Sequence, residues 1–392
     1  MVIQLSSKNV LNYLRHKGLD LDLASGNDAI QVKDAKNFNL LLTLRNGDKW
    51  LVKQERFDAE GKTAEEFKME WRVQEFSKGF HGSSFQGLLP DVLLFDPQAS
   101  ILVLRYLDHY QDLLEFYVKD QLYPEWIAEG LGTAIATIHQ DTVQNSTAQS
   151  VFDQGLADDT PLQSLAWTHK LHDLEPDIFG QYPAEGIKFF SLYQRYDSLG
   201  RSIQTTLASY RPLCVTHNDL KLNNVLVHQD WQNPRLDEPP IRLIDWERNG
   251  WGDPAFDVGT LLSSYLQQWL GSLLVSQDIS FQDSLQMATT PLEKVRPSMV
   301  KVLQAYLGQF PEILEIDPDF LDKVVQFSGL VMINQIFAML QYQKTFGNTG
   351  ICMLQVAKSL LCRPDQSFAT VLGISQADFI ASLGSRPRSV AS

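Results

Sequence analysis

The stretch Leu213-Cys214-Val215-Thr216-His217-Asn218-Asp219-Leu220-Lys221-Leu222-Asn223-Asn224-Val225-Leu226-Val227 decides how this chain is read. Apolar runs flank a polar loop, and within the loop His217, Asp219 and Asn224 hold the spacing H-x-D-x-x-x-x-N. A loop pinned in strands at both ends can hold its side chains in fixed directions. Downstream, Ile241-Arg242-Leu243-Ile244-Asp245-Trp246-Glu247 repeats the device, an apolar strand ending in a carboxylate at Asp245. A hairpin between the two blocks would bring both carboxylates toward one cleft.

Outward from this block the pattern changes on each side. Residues 29–32, 40–44 and 49–54 read as strands, the last two joined by Arg45-Asn46-Gly47-Asp48, whose Asn-Gly pair signals a hairpin turn. Residues 63–80 read as a helix with an apolar stripe through Phe67, Met69, Trp71, Val73 and Phe76. Thr63, with Glu66 three residues on, matches a capping box. A Gly- and Ser-rich loop (79–87) leads to a second hairpin, 92–95 and 101–107, turning at Asp96-Pro97. A short helix with Val10, Leu11 and Leu14 comes before all of these. The first hundred residues thus form a small antiparallel sheet with one helix inserted after its third strand. From Gln111 the spacing turns helical, over 126–139, 189–210 and from about 255 to the end. Residues 141–165 read as polar and irregular, 276–297 as a polar insertion and 385–392 as a frayed tail. The class is α+β.

Composition excludes several alternatives. With 44% hydrophobic residues, 8 Trp, 12 Tyr and 21 Phe, the chain of 392 residues has ample material for a core, so it is neither disordered nor collagenous. The net charge of −14 repels nucleic acid phosphates, so no nucleic acid partner is expected. Cys214, Cys352 and Cys362 make no disulfide framework or zinc spacing and read as buried small hydrophobes. No basic, apolar leader opens the sequence, and no run approaches the ~18–20 apolar residues of a membrane span. The expectation is a cytoplasmic protein with no membrane contact.

Asp219, Asn224 and Asp245 suit phosphoryl transfer. That reaction needs an acceptor hydroxyl oriented in line and a metal to offset phosphate charge. One carboxylate can orient the hydroxyl and take its proton. Mg²⁺ takes oxygen ligands, commonly one or two carboxylates together with phosphates. The ordered set His217-Asn218-Asp219-(x4)-Asn224, Ile244-Asp245-Trp246-Glu247 and Gly252-Asp253-Pro254-Ala255-Phe256-Asp257 resembles the aminoglycoside phosphotransferase and choline kinase group. The motif-bearing part of the resemblance covers roughly residues 25–265.

The resemblance implies a bilobal protein-kinase-like fold: a nucleotide-binding lobe over 1–105 and a helical catalytic and acceptor lobe over 106–384. It implies ATP and Mg²⁺ as cofactors. Asp219 would be the catalytic base, and Asn224 and Asp245 the metal ligands. His217 and Asp257 would hold the loop through its backbone. Lys53 would pair the α- and β-phosphates with Glu70 as its ion-pair partner, Glu66 being the fallback. Leu104 and Leu107 would bound the hinge that meets the adenine, and Lys221 would touch the transferred phosphate or be a solvated charge. His139 and His109 read as structural or surface residues. Trp246 and Trp251 read as core or ligand-stacking groups, and Asp253 and Glu247 as helix caps, loop braces or attractors of a cationic acceptor. The chain departs from the pattern where a glycine-rich turn is expected, reading Lys33-Asp34-Ala35-Lys36-Asn37-Phe38-Asn39; Lys36 there could meet phosphate. The implied reaction moves a γ-phosphate to a hydroxyl of a choline-, sugar- or aminoglycoside-like acceptor. Two alternatives stand beside it: a kinase for Ser or Thr of a peptide, and a nucleotide-binding pseudokinase acting as a partner subunit.

Overall fold

The computed structural model describes residues 3–26, 29–33, 36–80, 84–152, 184–233, 238–276 and 279–384. The chain divides into two compact units, Met1–Leu113 with Asn223–Asn249, and Leu114–Leu222 with Gly250–Ser392.

The first unit is built on a five-stranded antiparallel sheet: β1 (Ile30–Lys33), β2 (Phe38–Thr43), β3 (Lys49–Gln54), β4 (Val92–Asp96) and β5 (Ile101–Arg105), in the order β1-β2-β3-β5-β4. The Asn46-Gly47 turn closes as the sequence reads, Leu44 N–H donating to Asp48 O at 2.8 Å. Strand period sorts the side chains. Leu40, Leu42, Val52, Ile101 and Val103 pack in one cluster with Val10, Tyr13 and Leu14 of helix α1 (Val10–His16). Leu102 and Leu104 pack in another with Phe67 of helix α2 (Glu66–Ser77). Lys53 alternates with Val52, so it shares the face that α2 covers. Residues 85–88 of the expected loop form a helical turn, and 81–83 lie outside the described residues.

The start of α2 differs from the capping box. Glu65, not Thr63, is the N-cap; it takes a left-handed φ of 58° and no side-chain cap bond forms. The Glu66 N–H instead donates to Glu55 Oε1 (2.8 Å), just beyond the end of β3. A partner eleven residues away thus does the capping that local spacing assigned to Thr63. A small three-stranded sheet of Tyr110–Asp112, Val225–His228 and Ile241–Leu243 completes the unit.

The second unit is mostly helical, with one two-stranded ribbon pairing Cys214–Thr216 and Gly250–Gly252. Glu125–Thr142 packs on Leu292–Gln309, and Pro254–Gly271 packs on Phe320–Ala338. Gly132 allows the first pair its close approach, since a Cβ there would fall 2.3 Å from Val302 O. Several sequence expectations change here. The proposed polar insertion holds the helix Phe281–Gln286 and the start of Leu292–Gln309, whose Leu292 and Val295 within it are buried; residues 277–278 are outside the description. The single helix expected over 189–210 is two, Ala184–Tyr193 and Asp197–Ala208. The 141–165 stretch holds the helix Ser146–Phe152, with 153–165 outside the described residues, as is the 385–392 tail. Among the described residues one helix, continued to Phe320–Gln343, is long and apolar enough to cross a membrane, but 67% of its most apolar window is buried within the protein. Cys214 is buried as expected; Cys352 and Cys362 are partly exposed, so the reading of all three as buried does not hold.

Candidate active site

In the first unit, Lys53 meets Glu70, the partner expected for it, and also Asp245. Its Nζ lies 3.8 Å from Glu70 Oε2 and 3.5 Å from Asp245 Oδ1. Glu70 is buried and Lys53 mostly so, while Asp245 is 46% exposed and accessible to a ligand. The choice between Glu70 and Glu66 is decided by helix geometry. Glu66, one turn earlier, pairs instead with Lys36 and accepts from Asn37 Nδ2 at 3.3 Å. Burial would lower the Lys53 pKa, but the carboxylates of Glu70 and Asp245 hold it above the ordinary lysine range. Burial pushes Glu70 the other way for an acid, up to about 7, against the pull of Lys53.

Asp245 owes its direction to the backbone. It sits at φ 59°, ψ 53°, a left-handed conformation that Asp tolerates better than most residues, between the strand end and a 3₁₀ turn Trp246–Arg248. Trp246 is buried and donates its indole N–H to Leu243 O (2.9 Å), which makes it a core residue rather than a ligand-stacking one. Asn249 Nδ2 donates to Met69 O at 2.7 Å, bracing the Asp245 segment against the turn of α2 that carries Glu70. Asn224 occupies the neighbouring register position: Val225 pairs with Leu243, and Ile244 N–H donates to Asn224 O at 3.0 Å. Among the described residues no group of three His, Cys, Asp or Glu could hold a metal. Asp245 offers a half-exposed carboxylate and Asn224, on the paired segment, a buried amide, oxygen donors of the kind a hard cation takes with phosphate and water completing its shell.

Leu104 is a buried side chain inside β5, paired with Leu51 on one side and Val92 on the other, whereas Leu107 lies beyond the strand end. Glu247 lies 3.8 Å from Lys36 Nζ, and burial with Glu66 nearby raises its carboxyl.

In the second unit, the loop bearing Asp219 is held from beneath. Asp257 accepts the His217 N–H at Oδ2 (2.7 Å) and the Asn218 N–H at Oδ1 (2.8 Å). His139 contacts Asp257 Oδ2 through Nε2 (3.3 Å) and the Tyr306 hydroxyl through Nδ1 (2.9 Å). His139 is therefore a buried brace; its place on the apolar stripe with Leu131, Ile135 and Ile138 was the signal for that. Asn218, left-handed at φ 61°, accepts from Thr216 Oγ1 at 2.8 Å. Gly252 leaves room for this contact, since a Cβ there would fall 2.0 Å from Thr216 Oγ1. Trp251 is buried. Lys221 Nζ pairs with Asp219 Oδ1 at 2.6 Å, so it is not simply a solvated charge. Asp253 is fully buried, accepts from Ala255 N and Arg211 N, and pairs with Lys323 at 2.5 Å. It caps a helix and is closed to any cationic acceptor. Sequence reasoning missed Thr216, Tyr306 and Lys323, whose partners are distant or carry no motif.

Residues 32–282 match the model of the phosphotransferase enzyme family. No curated protein matches the sequence significantly. Among solved structures, the chain is similar to a putative fructosamine-3-kinase from Thermobifida fusca YX-ER1, at 14% identity and a TM-score of 0.50, covering 91% of this chain and 99% of that one. It is also similar to a choline/ethanolamine kinase family protein from Mesorhizobium loti (16% identity, 88% and 92% covered, TM-score 0.48). A macrolide 2'-phosphotransferase from Brachybacterium faecium follows at 15% identity, 91% and 99% covered, TM-score 0.46.

Proposed function

Given that the chain belongs to the phosphotransferase enzyme family, we propose that it moves the γ-phosphate of ATP to a hydroxyl of a small molecule in the cytoplasm. The observation that carries this reading is the cluster in which Lys53 pairs with buried Glu70 while facing half-exposed Asp245, one register position from Asn224. In this reading residues 1–105 serve the nucleotide and 106–384 the acceptor. Lys53, charged because Glu70 and Asp245 surround it, pairs the α- and β-phosphates. Leu107, past the strand end, offers backbone groups to the adenine more readily than buried Leu104. Asn224 and Asp245 would hold Mg²⁺, which when bound offsets charge on the phosphates. Asp219 orients the acceptor hydroxyl and takes its proton. Lys221, paired with Asp219 Oδ1, would reach the transferred group from that position.

The test is acceptor-dependent ATP turnover with Mg²⁺, wild type against Asp219→Asn, over a panel of hydroxyl compounds. Loss of general-base assistance lowers kcat about 10²–10⁴-fold with nucleotide binding retained. A wild type that binds ATP yet turns over no hydroxyl acceptor, or an Asp219→Asn variant of full activity, refutes the reading.

A further inference from the structure

The stretch joining β1 to β2 carries no glycine, and side chains of its described residues Lys36 and Asn37 tie those two residues to neighbouring elements. Lys36 Nζ pairs with Glu66 and lies 3.8 Å from Glu247 Oε1, while Asn37 Nδ2 donates to Glu66 Oε2 at 3.3 Å. Glu66 stands one helical turn before Glu70, and Glu247 two residues after Asp245. This strap therefore grips the two elements that supply the partners of Lys53. The same stretch leads into Asn39, the register partner of Lys53.

Charge in this cluster is unbalanced. Lys36 and Lys53 share the neighbourhood of Glu66, Glu70, Asp245 and Glu247. Burial would lower the Lys36 pKa, but Glu66 and Glu247 outweigh it and keep the ammonium charged. The two lysines differ in freedom: Lys53 is 14% exposed and Lys36 65%. A polyphosphate arriving beside Lys53 brings more negative charge than either carboxylate. The exposed ammonium can turn to it at little cost, because a lysine carries its charge on a flexible stem.

Resting on the nucleotide reading above, we propose that Lys36 is a second phosphate-binding lysine, held by Glu66 and Glu247 until the outer phosphates replace them. A side-chain strap here stands in for the backbone amides that a glycine-rich turn would direct at phosphate. Glu66 is then a competitor that tunes nucleotide affinity, with no contact to the reacting atoms.

Titration calorimetry on the full chain tests this, with ATP plus Mg²⁺ and with AMP, for wild type, Lys36→Met and Glu66→Gln. The expected result for Lys36→Met is an ATP affinity about tenfold weaker, from loss of one charge-assisted hydrogen bond, with AMP affinity changed less than about twofold. Glu66→Gln removes the competitor and tightens ATP about two- to fivefold. Equal losses for ATP and AMP, or an unchanged ATP affinity in Lys36→Met, overturn the proposal while leaving the nucleotide reading intact. Weaker ATP binding in Glu66→Gln overturns it too, since the strap would then be a brace. A wild type that binds neither nucleotide sinks the nucleotide reading itself, and this inference with it.

Discussion

Replacing Gly252 by Ala adds a single methyl at a place where the backbone is unstrained and only space is lacking. The new Cβ would lie 2.0 Å from Thr216 Oγ1, 2.9 Å from the Tyr210 hydroxyl and 3.1 Å from Asn218 Oδ1. Thr216 must rotate. Rotation moves its hydroxyl away from Asn218 Oδ1 (2.8 Å) and from Gly250 O (3.2 Å), both buried partners. Two lost hydrogen bonds at ~1 kcal/mol each, with residual crowding, give a loss of about 2–3 kcal/mol. At about 2.1 cal/mol/K per residue, a chain of 392 residues then loses roughly 2–4 °C in Tm. Asn218 is left-handed and directly precedes Asp219, so loosening it shifts the carboxylate as well. A displacement near 1 Å at a reacting group costs up to ~10²-fold in rate. Thermal unfolding and kcat for ATP turnover measure the two effects separately. Thr216→Val, which removes the hydroxyl without the clash, reproduces the kcat loss, and Thr216→Ser retains activity. A Gly252→Ala variant with Tm within about 1 °C and kcat within about twofold of wild type refutes the reasoning.

Two further outcomes follow from the electrostatics. Glu70 has its folded pKa raised to about 7 by burial, so as pH falls through 7 it takes up a proton and releases Lys53 from the ion pair. Activity therefore declines on the acid side with a midpoint near 7, and Glu70→Gln removes that limb and lowers the plateau. The sign for stability is opposite: a carboxyl with a raised pKa favours the fold most below its ordinary value of 4.5 and loses that advantage as pH rises toward 7, so denaturant titrations of Glu70→Gln gain on wild type above pH 7. Lys323→Met leaves Asp253 and Asp317 buried without their cation (2.5 and 2.6 Å in the native pair) and costs about 3–5 kcal/mol. Burial already raises Asp253 despite Lys323, so chemical denaturation shows a greater loss at pH 8 than at pH 5.

Much of the first unit is legible because strands and tight turns are local. The period of two separates Val52 from Lys53, and the Asn46-Gly47 turn fixes the register that puts Asn39 opposite Lys53. Where reasoning from neighbours failed, a distant partner had intervened. Thr63 looks like an N-cap until Glu55 takes the Glu66 N–H and Lys36 draws the Glu66 side chain outward. The segment read as a polar insertion fails for another reason. The apolar face of Leu292–Gln309 begins inside a polar run, and its burial depends on Glu125–Thr142 packing against it. For Asp253 the sequence left helix cap and acceptor attractor both open, and Lys323, from a helix seventy residues away, seals it as the cap.

The sequence by itself determined the order of the motifs that carry the proposed site and the strand parity that sends Lys53 toward α2, because these depend on spacing along the backbone. Tertiary structure decided which carboxylate pairs with which cation. Glu70 rather than Glu66 meets Lys53, Glu66 and Glu247 share Lys36, and His139 stands behind Asp257. Those choices turn on distances of 2–4 Å between residues far apart in the chain, and Coulomb and hydrogen-bond energies are steep at that range.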